Sequence, residues 1–223
     1  MADFYRSRPE LVIFDCDGVL VDSEVLANQV FLDKLTALGL ELSLADLFEK
    51  FVGRTMLDCM AQAEKMLGKP APAHFVTELD QATFQAFEND LKAIEGIDFV
   101  LDALDAAKIP YCVASSGSHV KMNKTLGLTG LLPRLEGRIF SASDVAHPKP
   151  FPDIYLHAAS QMQIAPRYCA VIEDSPTGAR AGHAAGMKVF GYGAVLSLRS
   201  KLKEAGAEVF EDMRSLPTLL GLA

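Results

Sequence analysis

The stretch Leu11-Val12-Ile13-Phe14-Asp15-Cys16-Asp17-Gly18-Val19 joins a short apolar run to two acidic residues and a glycine. A continuous run of large apolar residues is typical of a strand that is covered on both faces. Ligands of open α/β sheets bind at the carboxyl ends of such strands. The sequence therefore predicts a buried strand over Leu11–Phe14, with chemically active residues directly after it.

Five further segments are candidate strands, and the clearest of them are nearly continuous apolar runs bounded by Gly, Ser, Asp or Pro. They are Tyr111–Ala114, Arg138–Ser141, Cys169–Ile172, Lys188–Tyr192 and Glu208–Phe210. Helical patterns lie between them, as at Ile97–Ala107 and Pro176–Ala185. Alternating strands and helices favour parallel βαβ units. We therefore expect an α/β fold with a doubly wound, parallel, Rossmann-like sheet.

From Asp22 to Leu91 this alternation stops. The segment shows amphipathic helical patterns, without a convincing strand, that are separated by glycine and proline. A helical insertion between the first two strands is expected to form a small bundle over the sheet. The sequence therefore predicts two domains, with residues 1–21 and 92–223 as a catalytic core and residues 22–91 as a helical cap.

The composition is that of an ordinary globular protein. Half of the 223 residues are hydrophobic and 22% are charged, which argues against extended disorder. The 21 basic and 29 acidic residues give a net charge of −8, and no cluster of Lys or Arg is present. These features disfavour a nucleic-acid partner and an anionic membrane surface. An anionic ligand must therefore be met by local positive charge.

The sequence shows no targeting or membrane-spanning segment. The first ten residues lack the apolar region of a secretory signal, and no apolar run approaches the ~18 residues of a membrane span. Cys16, Cys59, Cys112 and Cys169 form no C-x-x-C pair, which favours buried, reduced thiols. We expect a cytoplasmic protein that is a monomer or a weak dimer.

Four carboxylates follow the first and fourth predicted strands. Asp15 and Asp17 come after the first, and Glu173 and Asp174 come after the fourth. They should converge at one edge of the sheet, where uncompensated like charges oppose folding. A divalent cation with oxygen ligands relieves this repulsion, and Mg²⁺ suits a site with few protein carboxylates. The sequence predicts a Mg²⁺ site here, although each carboxylate alone also fits a helix cap or a solvated loop.

Two further segments offer groups that bind phosphate. Ser115, Ser116 and Gly117 follow the second strand and present hydroxyl and N–H groups near the start of a helix. Lys149 lies between two prolines that restrain its backbone, and a lysine near carboxylates can pair with them and bind phosphate. Singly, these features also fit a capping turn and an exposed loop lysine. Together with the carboxylates they indicate Mg²⁺-assisted phosphoryl transfer.

Four motifs resemble those of the haloacid dehalogenase superfamily. They are Phe14–Ser23 with its D-x-D-G core, Val113–Gly117, Lys149–Asp153 and Val171–Gly178. All four occur in the family's order, and the resemblance covers almost the whole chain. Residues 22–91 resemble the helical cap of the subgroup that contains β-phosphoglucomutase and small sugar-phosphate phosphatases.

The resemblance implies a role for each motif. Asp15 would be the nucleophile that forms an aspartyl-phosphate. Asp17 would give a proton to the leaving oxygen and then take one from water, and its backbone carbonyl would bind Mg²⁺. Ser115 and Lys149 would hold the phosphoryl oxygens. The acidic pair of the fourth motif would complete the metal site.

Residues outside the motifs are expected to recognise the rest of the substrate. Arg54 lies in a segment that resembles a cap loop, and Glu24 could meet a sugar hydroxyl or be an ordinary residue of a first helical turn. His119, Lys121 and Asn123 follow the second motif. They would line the pocket or lie on a solvated helix face.

The expected function is a Mg²⁺-dependent phosphatase that acts on a small phosphorylated metabolite of the sugar-phosphate, sugar-acid-phosphate or phosphoglycolate type. A phosphomutase of the β-phosphoglucomutase type is the alternative. The resemblance places Ala27, twelve residues after Asp15, where that mutase carries a histidine. Alanine cannot help to protect an aspartyl-phosphate from water, which favours hydrolysis.

Three other functions have less support from the sequence. A haloacid dehalogenase works without a metal, against which Asp17 and the Glu173-Asp174 pair argue. A phosphonatase needs a cap lysine that forms a Schiff base, and no lysine of the cap is marked by its context. A non-catalytic phospho-acceptor of the receiver type has neither a helical cap nor an Asp two residues after its acceptor.

Overall fold

The computed structural model describes residues 8–51 and 56–222. The chain divides into two compact units. One is formed by Met1–Asp22 with Lys92–Ala223, and the other by Ser23–Leu91. We refer to them as the α/β unit and the helical unit.

A parallel sheet forms the centre of the α/β unit. Its six described strands lie in the order β3-β2-β1-β4-β5-β6, and every neighbouring pair is parallel. The strands are β1 (Leu11–Phe14), β2 (Tyr111–Ser115), β3 (Ile139–Ser141), β4 (Cys169–Glu173), β5 (Lys188–Tyr192) and β6 (Glu208–Phe210). The predicted doubly wound sheet is confirmed, and each strand boundary lies within one residue of its predicted position.

Helices connect the strands and build the insertion. In chain order they are α1 (Ser23–Ala37), α2 (Leu44–Lys50), α3 (Met56–Leu67), α4 (Phe75–Asp90), α5 (Ile97–Ala106), α6 (His119–Leu128), α7 (Leu132–Leu135), α8 (Asp153–Gln161), α9 (Pro176–Ala184), α10 (Arg199–Glu204) and α11 (Leu216–Leu219). The helical unit thus holds α1 to α4. Among the helices of the described residues, none combines the length and the hydrophobicity that a membrane span requires.

Burial on both faces explains why the strands are apolar throughout. All four residues of β1 are fully buried. Leu11 and Ile13 pack in one cluster with Ala114 of β2, Val171 of β4 and Tyr155 of α8. Because removal of apolar surface from water is the main driving force of folding, this cluster fixes the central strands rigidly.

The strand order reverses at β1. The chain proceeds from β1 through β2 to β3 on one side, and β4 then pairs with the other side of β1. In open α/β sheets the ligand crevice lies at such a reversal, outside the carboxyl ends of the strands. The loops after β1 and β4 therefore border the expected site.

Helix caps fix the loops at this edge of the sheet. Ser118 caps α6 and accepts a hydrogen bond from the backbone N–H of Lys121. Ser175 caps α9 and accepts one from the N–H of Gly178, while Pro176 occupies the first helical position. Both arrangements satisfy donors that a helix start leaves unpaired.

The helical unit has its own apolar core. Phe31 and Leu35 of α1 pack with Leu47 of α2 and with Phe75 and Leu79 of α4. Ser43 caps the start of α2 in a capping box, in which the Asp46 carboxylate accepts a hydrogen bond from the backbone N–H of Ser43. The unit therefore has the features of an independently packed helical bundle.

Candidate active site

Three of the four predicted carboxylates lie together. Asp15 follows β1 and Glu173 ends β4, two strands that pair in register. One carboxylate oxygen from each of Asp15, Glu173 and Asp174 lies within 4.8 Å of the others. Asp15 is 8% exposed and Glu173 is fully buried. The sheet thus concentrates three acidic groups at the reversal of strand order.

Two glycines make room for this acidic group. A Cβ atom at Gly18, which has a φ of 75°, would lie 2.0 Å from Oδ2 of Asp174. A Cβ atom at Gly178 would lie 1.6 Å from Oε1 of Glu173. Both distances are far shorter than a van der Waals contact. The glycines of the first and fourth motifs are therefore required for the position of the carboxylates of the fourth motif.

Lys149 contacts two of these three carboxylates. Its Nζ donates hydrogen bonds to Asp15 Oδ1 at 2.8 Å, to Glu173 Oε1 at 2.7 Å and to the carbonyl oxygen of Ala114 at 3.2 Å. Its side chain is only 5% exposed. An ammonium group has three donors, and each has a partner here. Lys149 is therefore a buried counter-ion of the acidic group, and the alternative of an exposed loop lysine is wrong.

Glu173 is held by donors on both oxygens. Oε1 accepts from Lys149 and from the hydroxyl of Tyr155 at 2.9 Å. Oε2 accepts from the backbone N–H and the hydroxyl of Ser175, at 2.9 and 2.8 Å. Direct coordination of a metal by Glu173 would have to replace one of these hydrogen bonds. Glu173 thus fixes Lys149 and the start of α9 in this structure.

The sequence does not mark Tyr155 or Ser175 as functional residues. Tyr155 is fully buried on α8, and Lys149 Nζ lies 4.8 Å from the centre of its ring. Its distinguishing property is contact with two site residues, which depends on how α8 packs on the sheet. Ser175 was recognisable only as a helix cap, because its place next to Glu173 follows from the turn into α9.

The charges of the site shift the pKa values of its groups. Burial raises the pKa of Asp15 to about 7, against the opposing effect of Lys149 and with a further contribution from Glu173. Burial would also raise the pKa of Glu173, but the Lys149 ammonium and the Ser175 donors lower it overall. Burial would lower the pKa of Lys149, yet the two carboxylates hold it well above its usual value. Glu173 and Lys149 are therefore charged at neutral pH. Asp15 is the group whose negative charge a proton or a bound cation would neutralise.

The predicted binding of Mg²⁺ should therefore depend on pH. A cation competes with the proton on Asp15, so we expect the affinity for Mg²⁺ to fall by about tenfold per pH unit below a pH of about 7. Isothermal titration calorimetry with MgCl₂ between about pH 5.5 and pH 8 measures this directly. An affinity that is constant over this range would contradict it.

The loop of the second motif, which follows β2, lies beside Asp17 of the first motif. Ser115 ends β2, is buried, and accepts a hydrogen bond from the N–H of Gly117 at 3.1 Å. The carbonyl oxygen of Gly117 accepts from the Ser141 hydroxyl at 2.8 Å, and Ser116 is exposed. A Cβ atom at Gly117 would lie 3.7 Å from Oδ2 of Asp17. The structure thus brings the predicted phosphate-binding loop next to Asp17.

Asp17 has a lysine partner of its own. Nζ of Lys121, in the first turn of α6, donates to Asp17 Oδ2 at 2.7 Å. Burial would lower the pKa of Lys121, but Asp17 raises it overall. The other two residues named after the second motif have local partners: His119 pairs with Asp144 at 2.9 Å, and Asn123 donates to the carbonyl oxygen of His119.

The predicted substrate contacts of the cap belong to the helical unit. Glu24 lies in the first turn of α1 and lines a cavity of about 290 Å³ inside this unit. The other residues that line it are Ala27, Asn28, Phe31, Phe51, Met56, Cys59, Leu79, Asp80 and Thr83. Arg54 lies outside the described residues, so its role stays a prediction.

Comparison with known proteins defines the family. A model of the haloacid dehalogenase-like hydrolases matches residues 12–192, which include all four motifs. This chain therefore belongs to the haloacid dehalogenase-like hydrolases, and the resemblance seen in the motifs is confirmed.

Similar proteins include phosphatases of small molecules. The chain is 34% identical to a 6-phosphogluconate phosphatase of Escherichia coli over 82% of each chain. It is 29% identical to a phosphorylated carbohydrates phosphatase of Thermotoga maritima, over 89% of this chain and 92% of that one. The prediction of a phosphatase-type hydrolase is confirmed by the family and by these relatives.

Solved structures agree with this assignment. A haloacid dehalogenase-like protein of Agrobacterium tumefaciens is 36% identical and superposes with a TM-score of 0.87, over 95% of this chain and 97% of that chain. A hydrolase of the same family from Deinococcus radiodurans is 32% identical, with a TM-score of 0.84 over 97% and 98% of the two chains. The latter was crystallised with bound phosphate and sodium.

Proposed function

We propose that this hydrolase is a Mg²⁺-dependent phosphatase that releases phosphate from a small phosphorylated metabolite through an aspartyl-phosphate on Asp15. The observation that carries the proposal is the setting of Asp15, a nearly buried carboxylate that Lys149 holds by one oxygen next to two further carboxylates. A carboxylate fixed in this way is suited to nucleophilic attack on phosphorus.

The chain's own residues carry the two half-reactions. In the first, a carboxylate oxygen of Asp15 bonds to phosphorus, the bond from phosphorus to the leaving oxygen breaks, and Asp17 protonates that oxygen. In the second, water attacks phosphorus, the bond to Asp15 breaks, and Asp17 takes the proton of the water. Ser115 and the N–H groups of its loop bind the phosphoryl oxygens, and Lys149 does so as well by exchanging one of its three present hydrogen bonds for one to the phosphoryl group. The position of Gly117, at which a Cβ atom would lie 3.7 Å from Asp17 Oδ2, supports binding of the phosphoryl group between this loop and Asp17.

The donor set fits Mg²⁺. Asp15 and Asp174 offer hard carboxylate oxygens that lie close together, which is what this ion prefers. We propose that these two side chains and the backbone carbonyl of Asp17 hold the ion, with Glu173 next to them as a further acidic group. When bound, Mg²⁺ neutralises charge on the phosphoryl group.

We further propose that residues 22–91 act as a cap that recognises the part of the substrate that does not react. The cavity of the helical unit supports this role, because pockets that combine apolar walls with a few polar groups are typical of small-molecule sites. Glu24 and Arg54 remain the proposed contacts. Similarity to a 6-phosphogluconate phosphatase and to a phosphorylated carbohydrates phosphatase supports a sugar phosphate, a sugar-acid phosphate or a related compound as substrate. A cytoplasmic location also remains a proposal.

Release of inorganic phosphate from a panel of compounds tests the function. The panel should include hexose phosphates, hexitol phosphates, 6-phosphogluconate, phosphoglycolate and nucleotides, each with Mg²⁺ and with excess chelator. The proposal predicts turnover of at least one small sugar derivative that chelation abolishes and added Mg²⁺ restores. Full activity in excess chelator would exclude the dependence on a metal.

Charge in the cavity of the helical unit should influence substrate choice. Glu24 and Asp80 both line it, and no cationic side chain of the described residues does so. Asp80→Asn removes one negative charge at nearly constant shape, which should reduce repulsion of a carboxylate. We expect the ratio of kcat/KM for 6-phosphogluconate to that for a hexitol 6-phosphate to rise by about fivefold. Asp90→Asn, an exposed position on the same helix, is the matched control. An unchanged ratio for Asp80→Asn would remove this cavity from substrate choice.

Hydrolysis rather than phosphoryl exchange should be the net reaction. Ala27 lines the cavity of the helical unit and has no group that could donate a proton or a hydrogen bond. We therefore expect that incubation with β-glucose 1-phosphate, Mg²⁺ and a trace of glucose 1,6-bisphosphate yields inorganic phosphate faster than glucose 6-phosphate. The opposite order would assign the chain to the phosphomutases.

A further inference from the structure

The ion pair between Lys121 and Asp17 connects two distant parts of the α/β unit. The residues are 104 positions apart, and the contact between Nζ and Oδ2 is 2.7 Å. The side chain of Asp17 is 19% exposed and that of Lys121 is 35% exposed. The contact therefore lies in a partly enclosed place at the carboxyl edge of the sheet, and it is less accessible than an ordinary surface pair.

The backbone around both residues is fixed. Lys121 lies in the first turn of α6, where its N–H donates to the Ser118 hydroxyl at 3.3 Å. Asp17 lies in a turn in which the backbone N–H of Gly18 donates to the carbonyl oxygen of Val21. Two fixed backbones joined by one short hydrogen bond leave the Asp17 carboxylate little rotational freedom.

The two lysines of the site have separate partners. Lys149 is fully occupied by Asp15, Glu173 and a backbone carbonyl. Lys121 binds Asp17. Both aspartates of the first motif thus have a lysine partner, Lys149 for Asp15 and Lys121 for Asp17.

We propose that Lys121 is a positioning residue that holds the Asp17 carboxylate in the orientation required for proton transfer. The inference rests on the proposed role of Asp17 in giving a proton to the leaving oxygen. A hydrogen bond to a charged donor is stronger and more directional than a neutral one, which suits this task. Misplacement of a reacting group by about 1 Å can reduce a rate by about 10²-fold, so loss of the contact should be visible in the chemical step.

The choice of leaving group distinguishes a residue that acts through Asp17 from a residue that binds the phosphoryl group. Departure of an alkoxide needs a proton, whereas 4-nitrophenolate leaves without one. The kcat/KM value reports all steps up to cleavage of the bond to the leaving group. A residue that acts through Asp17 should therefore matter for an alkyl phosphate and matter little for 4-nitrophenyl phosphate. A residue that binds the phosphoryl group should affect both substrates equally.

The experiment compares Lys121→Met, Asp17→Asn and the double variant on the best alkyl phosphate of the panel and on 4-nitrophenyl phosphate. For Lys121→Met we expect a loss in kcat/KM of about 10- to 100-fold on the alkyl phosphate and of less than about threefold on the aryl phosphate. In the Asp17→Asn background the same change should have no further effect, because the group through which it acts is gone. Lys121→Arg keeps a charged donor and should recover part of the activity. Lys201→Met, at an exposed lysine of α10, is the control and should leave both values unchanged.

The outcomes identify which claim fails. If Asp17→Asn affects both substrates equally, the proposed proton transfer by Asp17 is wrong, and the inference about Lys121 falls with it. If Asp17→Asn affects the two substrates differently but Lys121→Met affects them equally, only the positioning role of Lys121 is overturned. The same holds if Lys121→Met still reduces activity in the Asp17→Asn background. A Lys121→Met protein that does not fold leaves Lys121→Arg for the same comparison, with equal losses on both substrates again as the contradicting result.

Discussion

Asp15→Asn should reduce phosphate release to the rate of a protein-free control. Asparagine has nearly the same shape, and its carbonyl oxygen can still accept the hydrogen bond that Lys149 donates to Oδ1. It has no negative charge with which to attack phosphorus, so the first half-reaction stops. Steady-state release of inorganic phosphate with saturating Mg²⁺ measures the effect.

Two controls show whether this loss of activity comes from the missing nucleophile and not from unfolding of the variant. The substitution relieves a buried carboxylate whose pKa burial already raises to about 7, so the variant should unfold at or above the temperature of the parent protein. Asp98→Asn, at an exposed position of α5, should keep full activity. If Asp15→Asn retained more than a few per cent of the rate, another residue would have to be the nucleophile.

Lys149→Met should damage both stability and activity. It leaves Asp15 and Glu173 buried without their common cation, and removal of one partner of a buried charge pair typically costs about 3–5 kcal/mol. The free energy of unfolding, measured in urea without metal near neutral pH, should fall by about this amount. Turnover should be lost as well, because Asp15 is no longer held.

A second substitution tests the cause of the lost stability. Glu173→Gln in the Lys149→Met background removes one of the two buried carboxylates that have lost their cation, so it should restore part of the free energy of unfolding. Lys188→Met disrupts a partly exposed pair with Glu208 and should cost less than about 1 kcal/mol. A Lys149→Met protein as stable as the Lys188→Met control would contradict the view that the buried acidic group depends on Lys149.

The fold could be predicted from the sequence because its strands are buried on both faces. Apolar runs such as Leu11–Phe14 have no polar face, and helical patterns alternate with them. Right-handed connections between parallel strands then restrict the possible topologies. The sequence predicts the strand ends less well. β2 and β4 each continue one residue further, to Ser115 and Glu173, because the backbones of these residues still pair with Ser141 of β3 and Gly191 of β5.

Part of the site could also be predicted, because the carboxyl ends of neighbouring parallel strands must meet. This rule places Asp15 beside the acidic pair after β4 without any knowledge of side chains. It does not predict that Glu173 and Asp174 have different roles. Glu173 is occupied by four hydrogen bonds from the protein, three of which come from Tyr155 and Ser175. These contacts depend on how α8 and α9 pack, which the local sequence does not encode.

The position of Lys121 illustrates the same limit. The sequence shows a lysine shortly after the second motif, which is equally compatible with a pocket residue and with a solvated helix face. Its contact with Asp17 results from the cap at Ser118, which sets where α6 begins, and from the packing of that helix. Spacing along the chain contains no direct sign of a partner 104 residues away.

Covalent trapping of the intermediate shows whether an aspartyl-phosphate forms on Asp15. The protein is mixed with its best substrate and Mg²⁺, quenched during turnover, and treated with borohydride, which reduces an acyl phosphate and leaves free carboxylates unchanged. Mass spectrometry of the peptides then locates the reduced residue. We expect the reduced residue to be Asp15, and we expect no reduced residue in the Asp15→Asn protein. Reduction at Asp17, Glu173 or Asp174, or undiminished turnover without any trapped acyl phosphate, would contradict it.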